Sequence, residues 1–152
     1  MVPLSKVYDA FLVKILDDEW GNWKDDAGVL DKEAIEADWR GLLEGAIPYF
    51  KFPRVSLEID GDFFVDNNIS NAEIQLLATY MKCQWLNRTI LTWENVKPLY
   101  VERDFSQANL LDKLNQLLER EEKNAEKLEG DYYRSIKGRP FKYSSLATKV
   151  DE

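Results

Sequence analysis

Ser70-Asn71-Ala72-Glu73-Ile74-Gln75-Leu76-Leu77-Ala78-Thr79-Tyr80-Met81-Lys82-Cys83-Gln84-Trp85-Leu86 is the stretch that decides the fold. It opens with the S-x-x-E form of a capping box, in which the serine hydroxyl and the glutamate carboxylate each satisfy an orphan amide of a helix's first turn. Ile74, Leu77, Met81 and Trp85 then recur at helical spacing, and Leu76, Tyr80 and Leu86 widen the stripe beyond what a surface helix needs. Such a helix is covered on several sides, so the reading is a central helix reaching Leu91 or Trp93 and broken before Pro98.

N-terminal to this helix, Ser5 is placed to cap a helix running to about Trp20 and stopped by Gly21. Its apolar face is Tyr8, Phe11, Leu12, Ile15, Leu16 and Trp20. Gly21 to Gly28 has no period. Asp31 then caps a second helix with the face Ile35, Trp39, Leu42, Leu43 and Ala46, ending before Pro48. Between Tyr49 and Val65 the period shortens to two at Val55, Leu57 and Ile59, and Asp60-Gly61-Asp62 turns the chain into Phe63-Phe64-Val65. A two-stranded hairpin is marginal alone, so it lies on the helices or pairs with a neighbouring chain, the first arrangement being preferred.

C-terminal to it, a long helix starts at Asp104 or Ser106 and carries Leu110, Leu111, Leu114, Leu117, Leu118, Ala125, Leu128 and Tyr132 on one side, with Ile136 as a further candidate. About thirty residues at 1.5 Å each span about 45 Å, which predicts that the charged half from Glu119 onward projects past its own core. Gly138 stops the period, and the remainder reads as an extended arm. The fold class is therefore mainly α: a bundle of about four helices with a short β-hairpin insertion at about 55–65, one long C-terminal helix and an extended C-terminal arm.

Composition narrows the chemistry. The chain has 152 residues, one cysteine and no histidine. Triads, imidazole bases and histidine-ligated metals are thereby excluded, and the lone Cys83 argues against a disulfide scaffold. No uncharged apolar run approaches the roughly 18–20 residues that span a bilayer, and no signal-peptide core fits the N-terminus. Charge is segregated: residues 1–66 hold fifteen acids against seven bases, whereas residues 67–152 hold thirteen of each. The whole net charge of −8 lies in the front, and Tyr132 to Val150 contains five bases and no acid. An acidic front disfavours a grip on phosphate backbones, which needs cations that release counterions.

Other constellations have plainer readings. Asp60, Asp62 and Asp66 lack the ligand spacing of a calcium loop and read as turn chemistry. The Gly41-x-x-x-Gly45 pair reads as two small residues on a helix, and no carboxylate pair sits on a hydrolase motif. Neither a catalytic residue nor a cofactor or metal site is expected. Trp23, in the aperiodic loop, is a possible interface aromatic, whereas Trp20, Trp39, Trp85 and Trp93 read as core.

The acidic helical front, the Ser70-initiated helix, the helix start Asp104-Phe105-Ser106-Gln107-Ala108-Asn109-Leu110-Leu111 and the tail after Pro140 together resemble, in order and texture, the head-to-tail connector (adaptor, or head completion) proteins of tailed bacteriophages. That resemblance implies a structural virion protein made in the host cytoplasm. It would form a dodecameric homo-oligomeric ring between portal protein and a downstream neck or tail-completion protein, extending the channel through which DNA passes without sequence-specific binding. Residues 1–138 would form the connector domain and residues 139–152 the arm. Arg139, Pro140, Phe141, Lys142, Tyr143 and Leu146 would dock on the portal, and the long helix would make ring contacts through Leu110, Leu114, Leu117 and Tyr132. The competing reading is an acidic DNA mimic or regulatory protein-binding module, supported by the charge before Asp66.

Overall fold

A computed structural model describes residues 1–15, 19–96 and 104–134. It is mainly helical, with a small antiparallel sheet. In chain order the elements are β1 (Val2–Pro3), α1 (Ser5–Lys14), a 3-10 turn at Glu19–Asn22, α2 (Lys32–Ala46) and a second 3-10 turn at Ile47–Tyr49. They continue with β2 (Ile59–Asp60), β3 (Phe63–Phe64), α3 (Asn71–Val96) and α4 (Asp104–Arg134).

Helix α3 is the hub: α1, α2 and α4 all pack against it. Leu76, Leu77, Ala78, Met81 and Leu86 on it are fully or almost fully buried, as the wide stripe requires. At its N-terminus the Ser70 amide donates to Glu73 Oε2 at 3.1 Å, which is half of the capping box. The Ser70 hydroxyl turns to the same carboxylate rather than to a first-turn amide.

Helix α2 begins where the sequence places it. Asp31 Oδ1 accepts from the Ala34 amide at 3.1 Å, and Pro48 falls in the 3-10 turn that ends the element. Helix α1 differs in two ways. It ends at Lys14 instead of continuing to Trp20, because Ile15 is extended (φ −113°, ψ 143°), and Leu16 lies outside the described residues. The break lets the 3-10 turn return Trp20 to the core, where its ring meets Phe11 and Trp39 edge-on at 5.9 and 5.8 Å. Ser5 does not cap either. Leu4 occupies the cap position, buried, with its amide donating to the Asp62 carbonyl at 2.9 Å and no side-chain cap.

The hairpin is present and short. Ile59 opposes Phe64 and Asp60 opposes Phe63, with Gly61 at φ +60°, a conformation that a Cβ would strain. It lies on its own helices through the fully buried Phe64. A third strand, β1, pairs on the other side of β3, with Val2 opposite Phe64 and Pro3 opposite Phe63. Pro3 sits on an edge, where its missing N–H costs no ladder bond.

The expected projection of α4 from Glu119 onward is overturned. Helix α4 folds back along α3, and its charged half carries Ala125, Glu129 and Tyr132, all buried. These three positions recur at four- and three-residue spacing, so they form one face even though the intervening residues are charged.

Candidate functional site: an acidic cleft between α3 and α4

The faces of α3 and α4 that oppose the Ile47–Tyr49 turn enclose a cleft of about 310 Å³. Helix α3 contributes Tyr80, Cys83, Gln84 and Asn87, four residues at i, i+3, i+4 and i+7. Helix α4 contributes Glu122, Glu126 and Glu129 at i, i+4 and i+7, and the connection after α2 adds Tyr49 and Lys51. The helical period thus puts a carboxylate stripe opposite a mixed face of α3, of which only Tyr80 belongs to the apolar stripe read from sequence.

Glu129 anchors the inner end. It accepts from the Tyr80 hydroxyl at 2.5 Å, from the Tyr133 hydroxyl, and from the Lys51 amide at 3.1 Å. Burial opposes its ionisation. The hydrogen bonds from Tyr133, Tyr80 and the Lys51 amide outweigh that penalty and hold its pKa below the ordinary carboxylate value. The tyrosines move the other way: burial, with the Glu129 carboxylate beside them, pushes Tyr80 well above its usual range and Tyr133 up to about 12. Tyr49 stacks on Tyr80 with ring centroids 5.9 Å apart and planes at 24°.

Next to this lies a second buried carboxylate. Glu73 accepts from the Tyr132 hydroxyl at 3.3 Å, and that hydroxyl accepts from the Arg54 amide at 2.9 Å. The Arg54 guanidinium donates to the Tyr132 carbonyl at 2.6 Å and lies 4.7 Å from the ring centroid. Residues 51–54, which have no regular structure, are therefore stapled to the end of α4 by Glu129, Tyr132 and Tyr133.

Cys83 does not make the cleft nucleophilic. Burial, followed by the nearby Glu122 and Glu121 carboxylates, pushes its thiol up to about 12, so it is protonated at neutral pH. The cleft presents the Glu122, Glu126 and Glu129 carboxylates together with Lys51, the Gln84 and Asn87 amides and the half-exposed Tyr49 ring, a lining with an excess of negative charge.

The residues singled out from sequence are distributed differently. Leu110 is exposed on α4, Leu114 and Leu117 are partly buried against the core, and Tyr132 is buried within it. Tyr132 is thus occupied inside its own subunit. Trp23 packs against the core half-buried, and its carbonyl accepts from the Asp31 amide at 2.9 Å, closing the loop that precedes α2. Arg139, Pro140, Phe141, Lys142, Tyr143 and Leu146 lie outside the described residues. Asp66 spends its carboxylate on the amides of Ser56 (3.1 Å) and Asn68 (2.8 Å), while Asp60 and Asp62 are exposed at the hairpin turn. Gly41 has open space where a Cβ would stand, and at Gly45 a Cβ would meet only the flexible end of Gln84, at 3.3 Å from Oε1.

Sequence reading missed Glu129 and Arg54, and placed Tyr80 in the buried stripe without its hydroxyl's role. The signal for Glu129 was present, since a carboxylate stands in helical register between Ala125 and Tyr132 on an otherwise apolar stripe.

A separate acidic face lies on the far side of α2. Glu33, Glu36 and Glu44 are exposed along the helix, and Asp62 at the hairpin turn joins Glu36 and Glu44 around Tyr8. Arg40, the cation among them, is committed to Glu44 Oε1 at 3.0 Å and to the Gly61 carbonyl at 2.7 Å. Comparison with protein-family models, with curated proteins and with solved structures returned no match.

Proposed function

We propose that this protein is a non-enzymatic structural component of the neck of a tailed phage. It acts as one subunit of a ring between portal and tail that extends the DNA channel. Segment 139–152 is the docking arm, with Arg139, Phe141, Lys142, Tyr143 and Leu146 as its contact residues. The observation that supports this reading best is the convergence of Glu36, Glu44 and Asp62 on one face, with Arg40 already engaged. Facing a channel, such a predominantly acidic surface disfavours counterion-releasing contacts with DNA, so the duplex slides past. The α3–α4 pair supplies a stiff scaffold about 40 Å long.

Mass measurement and electron microscopy of the purified chain, with and without a candidate portal, test this. A closed ring that forms on or with the portal is the expected result, and deleting residues 139–152 should leave the bundle folded but abolish portal binding. The same acidic face also suits a DNA mimic. A monomer under all conditions that competes with DNA for a nucleic-acid-binding protein would replace the neck reading with that one.

A further inference from the structure

We propose that the cleft between α3 and α4 is the resting site of the chain's own arm: its carboxylates take a cationic side chain from Lys137–Tyr143, and its aromatic rim takes an aryl group from the same segment.

Two independent features of the described surface point to such an occupant. The first is charge. Glu122, Glu126 and Glu129 line the cleft against the single cation Lys51, and among the described residues neither Glu122 nor Glu126 has an ion-pair partner. The second is an exposed aromatic patch at the inner end. Phe52 is 71% exposed, Tyr49 54% and Tyr133 39%, yet they are held in place: the Phe52 amide donates to the Tyr133 hydroxyl at 3.1 Å, and the two rings meet at 6.0 Å. Fixed, exposed aromatics beside uncompensated carboxylates match a peptide that alternates cations with aryl groups, through ion pairs, cation–π contacts and ring packing.

Lys137, Arg139 and Lys142 interleaved with Phe141 and Tyr143, with no acid before Asp151, supply that pattern in this chain. The tether favours the chain's own cleft. Helix α4 ends at Arg134, about 7.5 Å along its axis from Glu129 and about 18 Å from Glu122. A chain of the length of residues 135–152 spans at most about 60 Å, more than the distance from Arg134 back to either carboxylate. A short tether also holds the segment at roughly millimolar effective concentration, which a second copy does not match in dilute solution. The free subunit thereby keeps its docking segment covered until a competing surface draws it out. This inference rests on the neck reading only for what displaces the arm.

Limited trypsin digestion of the full-length protein, followed by mass spectrometry, reads the contact at Lys142. Cleavage there should be about tenfold slower than in a free synthetic peptide of residues 135–152. The double variant Glu122→Gln/Glu126→Gln, altered only at exposed positions, should return the rate to that of the peptide, as should about 0.5 M salt acting on the unaltered protein. Glu33→Gln/Glu36→Gln, which removes the same charge from α2, should leave the protection intact. Equal rates in protein and peptide, or protection that survives both the double variant and salt, would overturn the proposal. Protection that rises with protein concentration would also overturn it, by placing the arm on a second copy. Ring formation is read separately, so a protected arm in a chain that never forms rings would sink the neck reading and leave this one standing.

Discussion

The Tyr80 hydroxyl donates to Glu129, 49 residues later in the chain, at 2.5 Å in a buried setting. This bond joins the midpoint of α3 to the charged half of α4 and explains why that half packs instead of projecting. Replacing Glu129 by Gln swaps an acceptor-only carboxylate for an amide that also donates, facing Tyr80, Tyr133 and the Lys51 amide, which are all donors. The expected loss is about 2–3 kcal/mol in urea denaturation.

Glu129 also sets a pH dependence. Its folded pKa lies below the ordinary 4.5, so its stabilising contribution is complete above that value and is lost as pH falls through the folded value. The stability difference between the wild type and Glu129→Gln should therefore be constant near neutrality and shrink below about pH 4.5. Denaturation series at stepped pH would show it, and a difference that grows in acid would contradict it.

Asp38 performs a similar joining role at the other end of the bundle. It accepts from Arg88 at 2.6 and 3.1 Å and from the Trp20 indole at 2.8 Å, tying α2, α3 and the first 3-10 turn together. Asp38→Ala should cost about 1–2 kcal/mol, discounted because the Arg88 side chain is 37% exposed. Thermal unfolding measures the loss, and tryptophan emission should shift as Trp20 loses its acceptor.

Phe63 and Phe64 offer a matched pair. Phe64 is fully buried and is opposed by both Val2 and Ile59, whereas Phe63 is 42% exposed. Phe64→Ala should cost about 3–5 kcal/mol and detach the sheet from the helices. Phe63→Ala should cost under about 1 kcal/mol. Equal effects would mean that the hairpin does not seat on the core as described.

With its thiol raised to about 12, Cys83 should resist alkylation at pH 8 in the native protein. A rate at least about a hundredfold below that of a free thiol is expected, with full reactivity restored in denaturant. Rapid native labelling would show that the α3–α4 cleft opens at Cys83.

Legibility in the sequence followed the range of the forces involved. The Asp31 cap, the Pro48 stop and the Asp60-Gly61-Asp62 turn are local hydrogen-bond and dihedral effects, so neighbouring residues reveal them. The wide stripe from Ile74 to Leu86 announced a buried central helix because burial on several sides leaves apolar residues around most of the helix. Helix α1 was misjudged at its end because period alone continues it to Trp20. The actual break is set by where that indole finds Asp38, Phe11 and Trp39. Strand β1 was invisible for the same reason, as two residues carry no period and pair only because β3 presents an open edge.

By itself, then, the sequence determined the helical class, most element starts and the segregation of charge, all of which follow from spacing and local chemistry. Tertiary structure alone decided that α4 folds back on α3, that Glu73 and Glu129 are buried on tyrosine hydroxyls, and that Glu122 and Glu126 face a cleft. Whether a glutamate is a solvated surface charge or a buried acceptor depends on which donors another helix brings to it. Tyr80 and Tyr133 lie 53 positions apart, and no local rule brings them to one carboxylate.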